Sequence, residues 1–437
     1  MSAGARSRDE IHAPPVGLPR LLAPTPADYA DHVARYGPVP TARSRSERAA
    51  VIEAVERSTL RGRGGAGFPA GRKFRSVADH GRHTVVVANG AEGEPASHKD
   101  AVLLTRAPHL VIDGAVVAAR AVRADEVFVV IDRENRAVNE VVTTAIAQRA
   151  TSGTDDLPVR VVGVPSRYVA GEESALVHFL NGGPAKPMAI PPRPFERGVR
   201  GRPTLVQNVE TLAHIALLAR YGVDWFQSVG PLDESGSMLV TISGAVDHPG
   251  VYEWALGTPV ADVLTTAGAA PDDMVALLAG GYFGSWIPAR AVTGLVLTRR
   301  AFAEAGGSLG CGMLSVFPSG ACGVVECARI TRYLAEETAG QCGPCVHGLT
   351  AIADGVEAVA NRRAAAGTLD DVRRWLRDVA HRGACHLPDA AVGFLTSALT
   401  AFADEFDFHE RHRKCAHPGA APVLPLPDPA TRDWSWR

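Results

Sequence analysis

The chain has 437 residues, 46% of them hydrophobic and 21% charged, with a formal net charge of −2. That length exceeds one ordinary core and predicts about two to four domains, while near-neutrality argues against a nucleic-acid partner. No run approaches ~20 apolar residues, so no membrane span is expected, and a start of M-S-A-G-A-R-S-R-D-E without an apolar core points to the cytoplasm.

Residues 1 to about 38 are rich in Pro, Ala and Arg, which predicts a loosely packed extension over 1–44. Ser46 to Leu60 has helical spacing (Val51, Ile52, Val55) and runs into R-G-R-G-G-A-G-F-P-A-G-R-K, Arg61 to Lys73. Thr84–Val87 reads as a buried strand, His109–Val122 as a helix and Val127–Ile131 as a strand. Glu134–Ala150 follows as a helix, Val159–Val164 as a strand and Asn208–Arg220 as a helix. Strands alternating with helices predict a mostly parallel sheet, an α/β domain over 45–232. Over 233–305 two β-rich runs flank His248-Pro249-Gly250, and Thr258-Pro259 then opens a helix with Thr at the N-cap. This predicts a small β-grasp module. Helical segments at about 323–337, 342–361, 368–381 and 388–406 with short breaks predict an antiparallel bundle over 306–415, followed by a disordered Pro/Ala-rich tail, 416–437.

The chemistry-bearing residues gather in three places. Gly62, Gly64, Gly65 and Gly67 free the backbone to approach a ligand, and Arg61, Arg63 and Lys73 favour a phosphate-bearing one. Gly62-x-Gly64-x-x-Gly67 matches the dinucleotide fingerprint literally, but a helix rather than a strand precedes it, and a plain surface turn is an equal reading. Phe68 offers a ring for stacking and Lys73 a point charge for phosphate. N-G-A-E-G-E-P (Asn89–Pro95) and Y-V-A-G-E-E-S-A-L (Tyr168–Leu176) add two glycine-bracketed carboxylate pairs. Each alone is equally readable as a solvated turn or as acids at a helix start. Together the three suggest a flavin site beside a nicotinamide site. Seven cysteines, at 311, 322, 327, 342, 345, 385 and 415, all lie in the last third, which suits metal or cluster ligation better than a disulfide framework.

In this order the motifs resemble the 51 kDa flavoprotein subunit of respiratory complex I and the related diaphorase subunits of NAD-linked hydrogenases and formate dehydrogenases, over roughly residues 45 to 410. The resemblance implies a Rossmann-like FMN domain, a ubiquitin-like β-grasp domain and a helical iron–sulfur domain. It implies that Gly62, Arg63, Gly64, Gly65, Gly67, Phe68 and Lys73 cradle the flavin, and that Asn89 and Glu92 contact it. Glu94 is implied to face the nicotinamide, with Ala91 standing where the family has aspartate. Tyr168, Gly171, Glu172 and Glu173 line the same cavity, and Glu173 beside NADH repels the 2′-phosphate of NADPH. Gln207 and Asn208, in T-L-V-Q-N-V-E-T, reach toward the flavin phosphate or ribityl chain. No catalytic base is expected, because hydride transfer needs positioning rather than proton transfer.

For Cys342, Cys345 and Cys385 the resemblance implies a 4Fe-4S cluster, but Ala339 stands at the first of four ligand positions. Several outcomes stay open: a fourth ligand from His347, His386, water or a partner; a three-iron cluster; zinc; or no metal. Cys311, Cys322, Cys327 and Cys415 read as structural. The expected activity is NADH oxidation through FMN and a cluster to a small thioredoxin-like iron–sulfur subunit and further redox subunits. The alternatives are a simple diaphorase without a cluster and a degenerate scaffold subunit.

Overall fold

The computed structural model describes residues 17–437 except positions 24, 27, 41, 82 and 431. The first domain holds a four-stranded parallel sheet in the order β3-β2-β1-β4, with β1 Thr84–Gly90, β2 Ala124–Asp132, β3 Val159–Val164 and β4 Thr204–Asn208. The valine runs of β1 and β2 are buried on both faces, as helices packed on each side of a parallel sheet require. Helix Pro108–Val122 is buried almost all round and crosses helix Val209–Phe226 so closely that any side chain at Gly114 would strike the Leu212 carbonyl. Helix Arg45–Arg57 starts with a capping box formed by Ser44 and Glu47. β4 is not legible in the sequence because it is five residues long and ends in Gln-Asn; pairing with β1 makes it a strand.

A second sheet has five strands in the order β6-β5-β9-β7-β8. β5 Ser237–Gly244 and β6 Gly250–Ala255 form the expected antiparallel hairpin around His248-Pro249. β7 Met274–Ala279, β8 Ser285–Pro288 and β9 Met313–Pro318 complete it. β9 lies beyond the expected boundary at 306 and is the central strand, parallel to β5 and antiparallel to β7. The helix expected to start with a Thr258 cap begins instead at Val260. The Thr258 hydroxyl donates to the Ala255 carbonyl (2.8 Å), and Pro259 sits at the cap.

The C-terminal region has five helices rather than four: Gly323–Glu336, Thr350–Ala360, Thr368–Val379, Leu387–Ala401 and Ala403–His412. The last expected segment breaks at Phe402, whose ring is buried under Gly323. The segment expected as one helix from Cys342 starts with a wide π-type turn, Pro344–Leu349. No single helix among the described residues is long and apolar enough to cross a membrane.

Both termini pack more firmly than composition predicted. Residues 1–16 lie outside the described residues, but Leu21, Leu22, Tyr29 and Tyr36 are buried, and Arg20 donates to the Trp225 and Phe226 carbonyls at 3.0 and 3.1 Å. The segment after 416 is ordered against the domains rather than disordered. Leu424 is buried and its amide donates to Glu326 (2.7 Å), Arg432 pairs with Glu337 (2.7 Å), and the Ala185 amide donates to the Trp436 carbonyl (2.8 Å). Proline-rich composition disfavours long helices, not docking, and the N-terminal segment still forms the short helix Tyr29–Tyr36.

Candidate functional site

β1 continues through crossovers to β2 and β3 on one side, whereas β4 lies on its other side, so β1 and β4 flank the point where the strand order reverses. In open α/β sheets ligands bind outside the carboxyl ends of strands at such a point. Asn89 is the penultimate residue of β1 and Asn208 ends β4, and the two are register partners there. The Asn89 amide donates to the Gly171 carbonyl (2.8 Å) while its oxygen accepts from the Ala91 amide (3.1 Å). Asn208 caps helix Val209–Phe226 through the Glu210 amide (3.0 Å) and donates to Asp100 (2.7 Å). Asp100 in turn holds the buried Lys99 at 2.6 Å, and Lys99 meets Glu210 at 3.0 Å.

The glycine loop stands over this edge. Its neck is closed by Gly62 N–H to the Phe68 carbonyl and Ala70 N–H to the Leu60 carbonyl, both 2.9 Å. Gly64 sits so near Asn208 that a Cβ would lie 3.3 Å from the asparagine's own. From beneath, Arg299 donates to the carbonyls of Gly65 (3.0 Å) and Gly62 (3.3 Å). With the carbonyls tied downward, the amides of Gly64 to Gly67 meet no protein acceptor among the described residues. Gly65 (φ +110°) and Gly67 (φ +62°) supply the left-handed backbone this requires, and a Cβ on Gly67 would fall inside the Arg299 guanidinium. Arg63, expected at the cofactor, is instead 3% exposed, its amide on Thr211 and its guanidinium on the Ser237 carbonyl and near Glu210. Phe68 is 48% exposed with Arg72 5.6 Å from its ring.

The two acidic segments interlock, which explains their glycines. A Cβ at Gly93 would lie 2.5 Å from the Tyr168 carbonyl, and one at Gly171 2.7 Å from that of Ala91. Glu92 does not turn to the loop. Its oxygens accept from Ser97 Oγ (2.6 Å), Asp100 N (3.3 Å) and Ala101 N (3.1 Å), because the free amides at the start of helix Lys99–Arg106 attract a carboxylate. Glu94 accepts from the Tyr168 hydroxyl (2.5 Å) and from the Tyr282 amide (2.7 Å), with Gly281 pressed against its carboxylate. Burial pushes both carboxyls up to about 7; the charge of Asp100 adds to this at Glu92. Glu172 caps helix Glu173–Leu180 through the Ser174 and Ala175 amides (2.9 and 3.1 Å). Glu173 reaches across to Lys73 at 2.6 Å, each about one quarter exposed. Lys73 thus enters the cleft already paired with a carboxylate.

Gln207 is buried, and its amide nitrogen donates to no partner. Strand alternation turns it to the sheet face opposite Asn208.

Cys342, Cys345 and Cys385 come together beyond helix Glu173–Leu180. Burial raises the Cys345 thiol to about 12 and also raises that of Cys385, and the charges of neighbouring cysteines add to both shifts. Glu172 contributes to the shift at Cys385, so the Gly171-Glu172-Glu173 turn presents one acid to Lys73 and the other toward the cysteines. Ala339 is buried, its carbonyl accepting from Lys186 (2.7 Å). His347 and His386 are exposed.

Three family models match: the Nuo51 FMN-binding domain over residues 55–217, the SLBB domain over 239–281, and the NADH-ubiquinone oxidoreductase-F iron–sulfur binding region over 326–409. The NADH-quinone oxidoreductase F-subunit of Mycobacterium tuberculosis is 32% identical over 387 residues, 84% of this chain and 85% of the relative. The chain belongs to the family of the NADH-quinone oxidoreductase F-subunit. A further relative, NAD-reducing hydrogenase HoxS subunit alpha of Cupriavidus necator, is 32% identical over 86% of this chain and 62% of its own. The crystal structure of an air-oxidized NAD+-reducing [NiFe]-hydrogenase superposes with a TM-score of 0.79 at 30% identity, covering 85% of this chain and 64% of that one. This chain therefore spans less than two thirds of those two hydrogenase chains.

As a member of this family, the chain is an NADH-oxidising, FMN-dependent flavoprotein subunit with an iron–sulfur binding region. Its residues fit FMN: unpaired loop amides suit an anionic, polar group, and the exposed Phe68 ring suits a planar one. Three free thiols fit cluster ligation, and Ala339 has no atom to add to them. Sequence reasoning missed Lys99, Asp100, Glu210, Tyr282 and Arg299, which hold the site without lying in its glycine motifs. Only the adjacency of Lys99-Asp100 to the N-G-A-E-G-E-P segment could have signalled them.

Proposed function

We propose that the cleft between the glycine loop and the interlocked acidic segments seats FMN with its phosphate on the amides of Gly64, Gly65, Ala66 and Gly67, and NADH above it beside Glu94 and Glu173. FMN held there would supply hydride acceptance and one-electron release. The protein's part is positioning and exclusion of water, and no side chain moves a proton at the reacting carbon. Phe68 offers its exposed ring to a planar guest, and Asn208, beside Gly64, stands at the phosphate end. Lys73 balances Glu173 until an anionic ligand arrives and then turns to it. Glu173 keeps a negative charge where a 2′-phosphate would lie, which disfavours NADPH. Glu94, locked by Tyr168 and Tyr282, closes the nicotinamide side.

Cys342, Cys345 and Cys385 would hold the cluster beside Glu172, at a surface where Val346 and His347 are exposed. A thioredoxin-like iron–sulfur subunit is the partner expected at that surface, in the cytoplasm. The observation carrying the reading is the row of loop amides without a protein acceptor among the described residues, beside Asn208 at the β1/β4 switch point. In anaerobically purified protein the flavin absorption should bleach on adding NADH; protein that stays colourless after incubation with FMN would refute it. In Glu173→Gln, kcat/KM for NADPH relative to NADH should rise roughly fivefold, about 1 kcal/mol. Ala339 favours a second reading, a diaphorase without a cluster, and iron and sulfide analysis separates the two.

A further inference from the structure

Cys322 and Cys415 have no motif around them in the sequence, yet the fold brings them together around His409. We propose that Cys322, His409 and Cys415 form a mononuclear zinc site, separate from the iron–sulfur corner, that clamps the end of the helical region. The two sulfurs and the imidazole nitrogen all lie within 4.8 Å of one another. Cys322 Sγ is 3.4 Å from His409 Nε2, across 87 residues of sequence.

Main-chain groups hold two of the ligands in place. His409 is buried, and its Nδ1 faces the Val359 carbonyl at 3.4 Å. That places the ring proton on Nδ1 and leaves the Nε2 lone pair facing the sulfur, the outer hydrogen bond usual for a metal-bound histidine. Cys415 Sγ accepts from the His417 amide at 3.4 Å. Cys322 is the N-cap of helix Gly323–Glu336, and its sulfur makes no capping hydrogen bond to the helix amides. Glu405, one turn before His409 on the same helix, accepts from the Gly323 amide at 2.9 Å. It lies outside the three-ligand group, so water would complete a tetrahedral site.

Two sulfurs and one imidazole select a borderline-soft, tetrahedral ion and disfavour magnesium or calcium. Half-exposed Cys415 gives the ion a way in. Cys322 and Cys415 fall just outside either end of the matched iron–sulfur region, 326–409. Helix Gly323–Glu336, 14 residues and so ~21 Å long, separates Cys322 from Ala339 at the cluster corner. Zinc here would tie the final helix to the start of the first one in the bundle, directly ahead of the docked C-terminal segment. None of its ligands belongs to the flavin cleft.

The test is elemental analysis of the full-length protein after washing with EDTA, with FMN and iron counted on the same sample. The wild type should retain about one zinc per chain. Cys415→Ser should fall to background with FMN and iron unchanged. Cobalt soaked into the zinc-stripped wild type should give a sulfur-to-cobalt charge-transfer band that Cys415→Ser lacks; if that variant does not fold, the wild-type band alone decides. Zinc unaffected by Cys415→Ser, iron in its place, no metal and no cobalt band, or a Cys322–Cys415 disulfide in non-reducing peptide maps would each overturn the proposal.

Discussion

The flavin cleft and the cysteine corner are built by opposite means. Around the cleft, polar side chains are fixed from below by buried charge: Lys99 between Asp100 and Glu210, Arg63 on the Ser237 carbonyl, and Arg299 under the loop. These groups are immobile before any ligand arrives, the supporting shell that binding geometry needs. The cysteine corner has a wide turn, two half-exposed thiols and an alanine at its fourth position. A metal bound there would add rigidity, because metal binding couples to local folding. A pre-formed hollow and a metal-dependent corner should therefore respond differently to substitution.

The largest effect is expected at the cleft's buried charge. Lys99→Met should lower unfolding free energy by about 3–5 kcal/mol in denaturant melts, because Asp100 and Glu210 lose their shared cation. A loss below about 1 kcal/mol would mean that the cleft is not held this way. Glu94 comes next, through pH. Its carboxyl is raised to about 7 from 4.5, so between those values the folded state keeps a proton that the unfolded state has lost. Stability is then complete below pH 4.5 and declines as pH rises through 7. Glu94→Gln should flatten the stability profile between pH ~5 and ~8 by up to about 3 kcal/mol, with Glu92 keeping some slope in the same window. An unchanged slope would show that Glu94 does not titrate there.

Gly67→Ala forces a side chain into positive φ and against Arg299. It should cost roughly 1–3 kcal/mol and lower FMN retention on gel filtration, and full retention would sever the link between loop shape and flavin. The mildest change concerns the cysteine corner. Ala339→Cys should leave unfolding within ~0.5 kcal/mol but raise iron per chain or slow cluster loss in air. Unchanged iron would mean that another group already fills that corner.

The glycine loop was legible because it is local: Gly65 and Gly67 need their backbone wherever the chain goes next, whereas Gly93 and Gly171 need their smallness only because the two acidic segments meet. Their partners were not. Arg299 reaches Gly62 and Gly65 from another domain, and Tyr282 reaches Glu94 across 188 residues. Glu92 and Arg63 lie within the right segments yet serve the fold, a distinction that depends on which amides and charges surround them. β9 and the docked tail likewise owe their state to partners rather than to their own composition.

Sequence alone determined the order of domains, the glycine loop, the paired acids and the three cysteines of the cluster corner. These follow from backbone freedom and side-chain chemistry, which each residue carries with it. Only the tertiary structure decided which acid faces the cleft, what grips the loop, and that Cys322, His409 and Cys415 meet. Those outcomes depend on distances between residues far apart in the chain, and burial and electrostatics act through such distances.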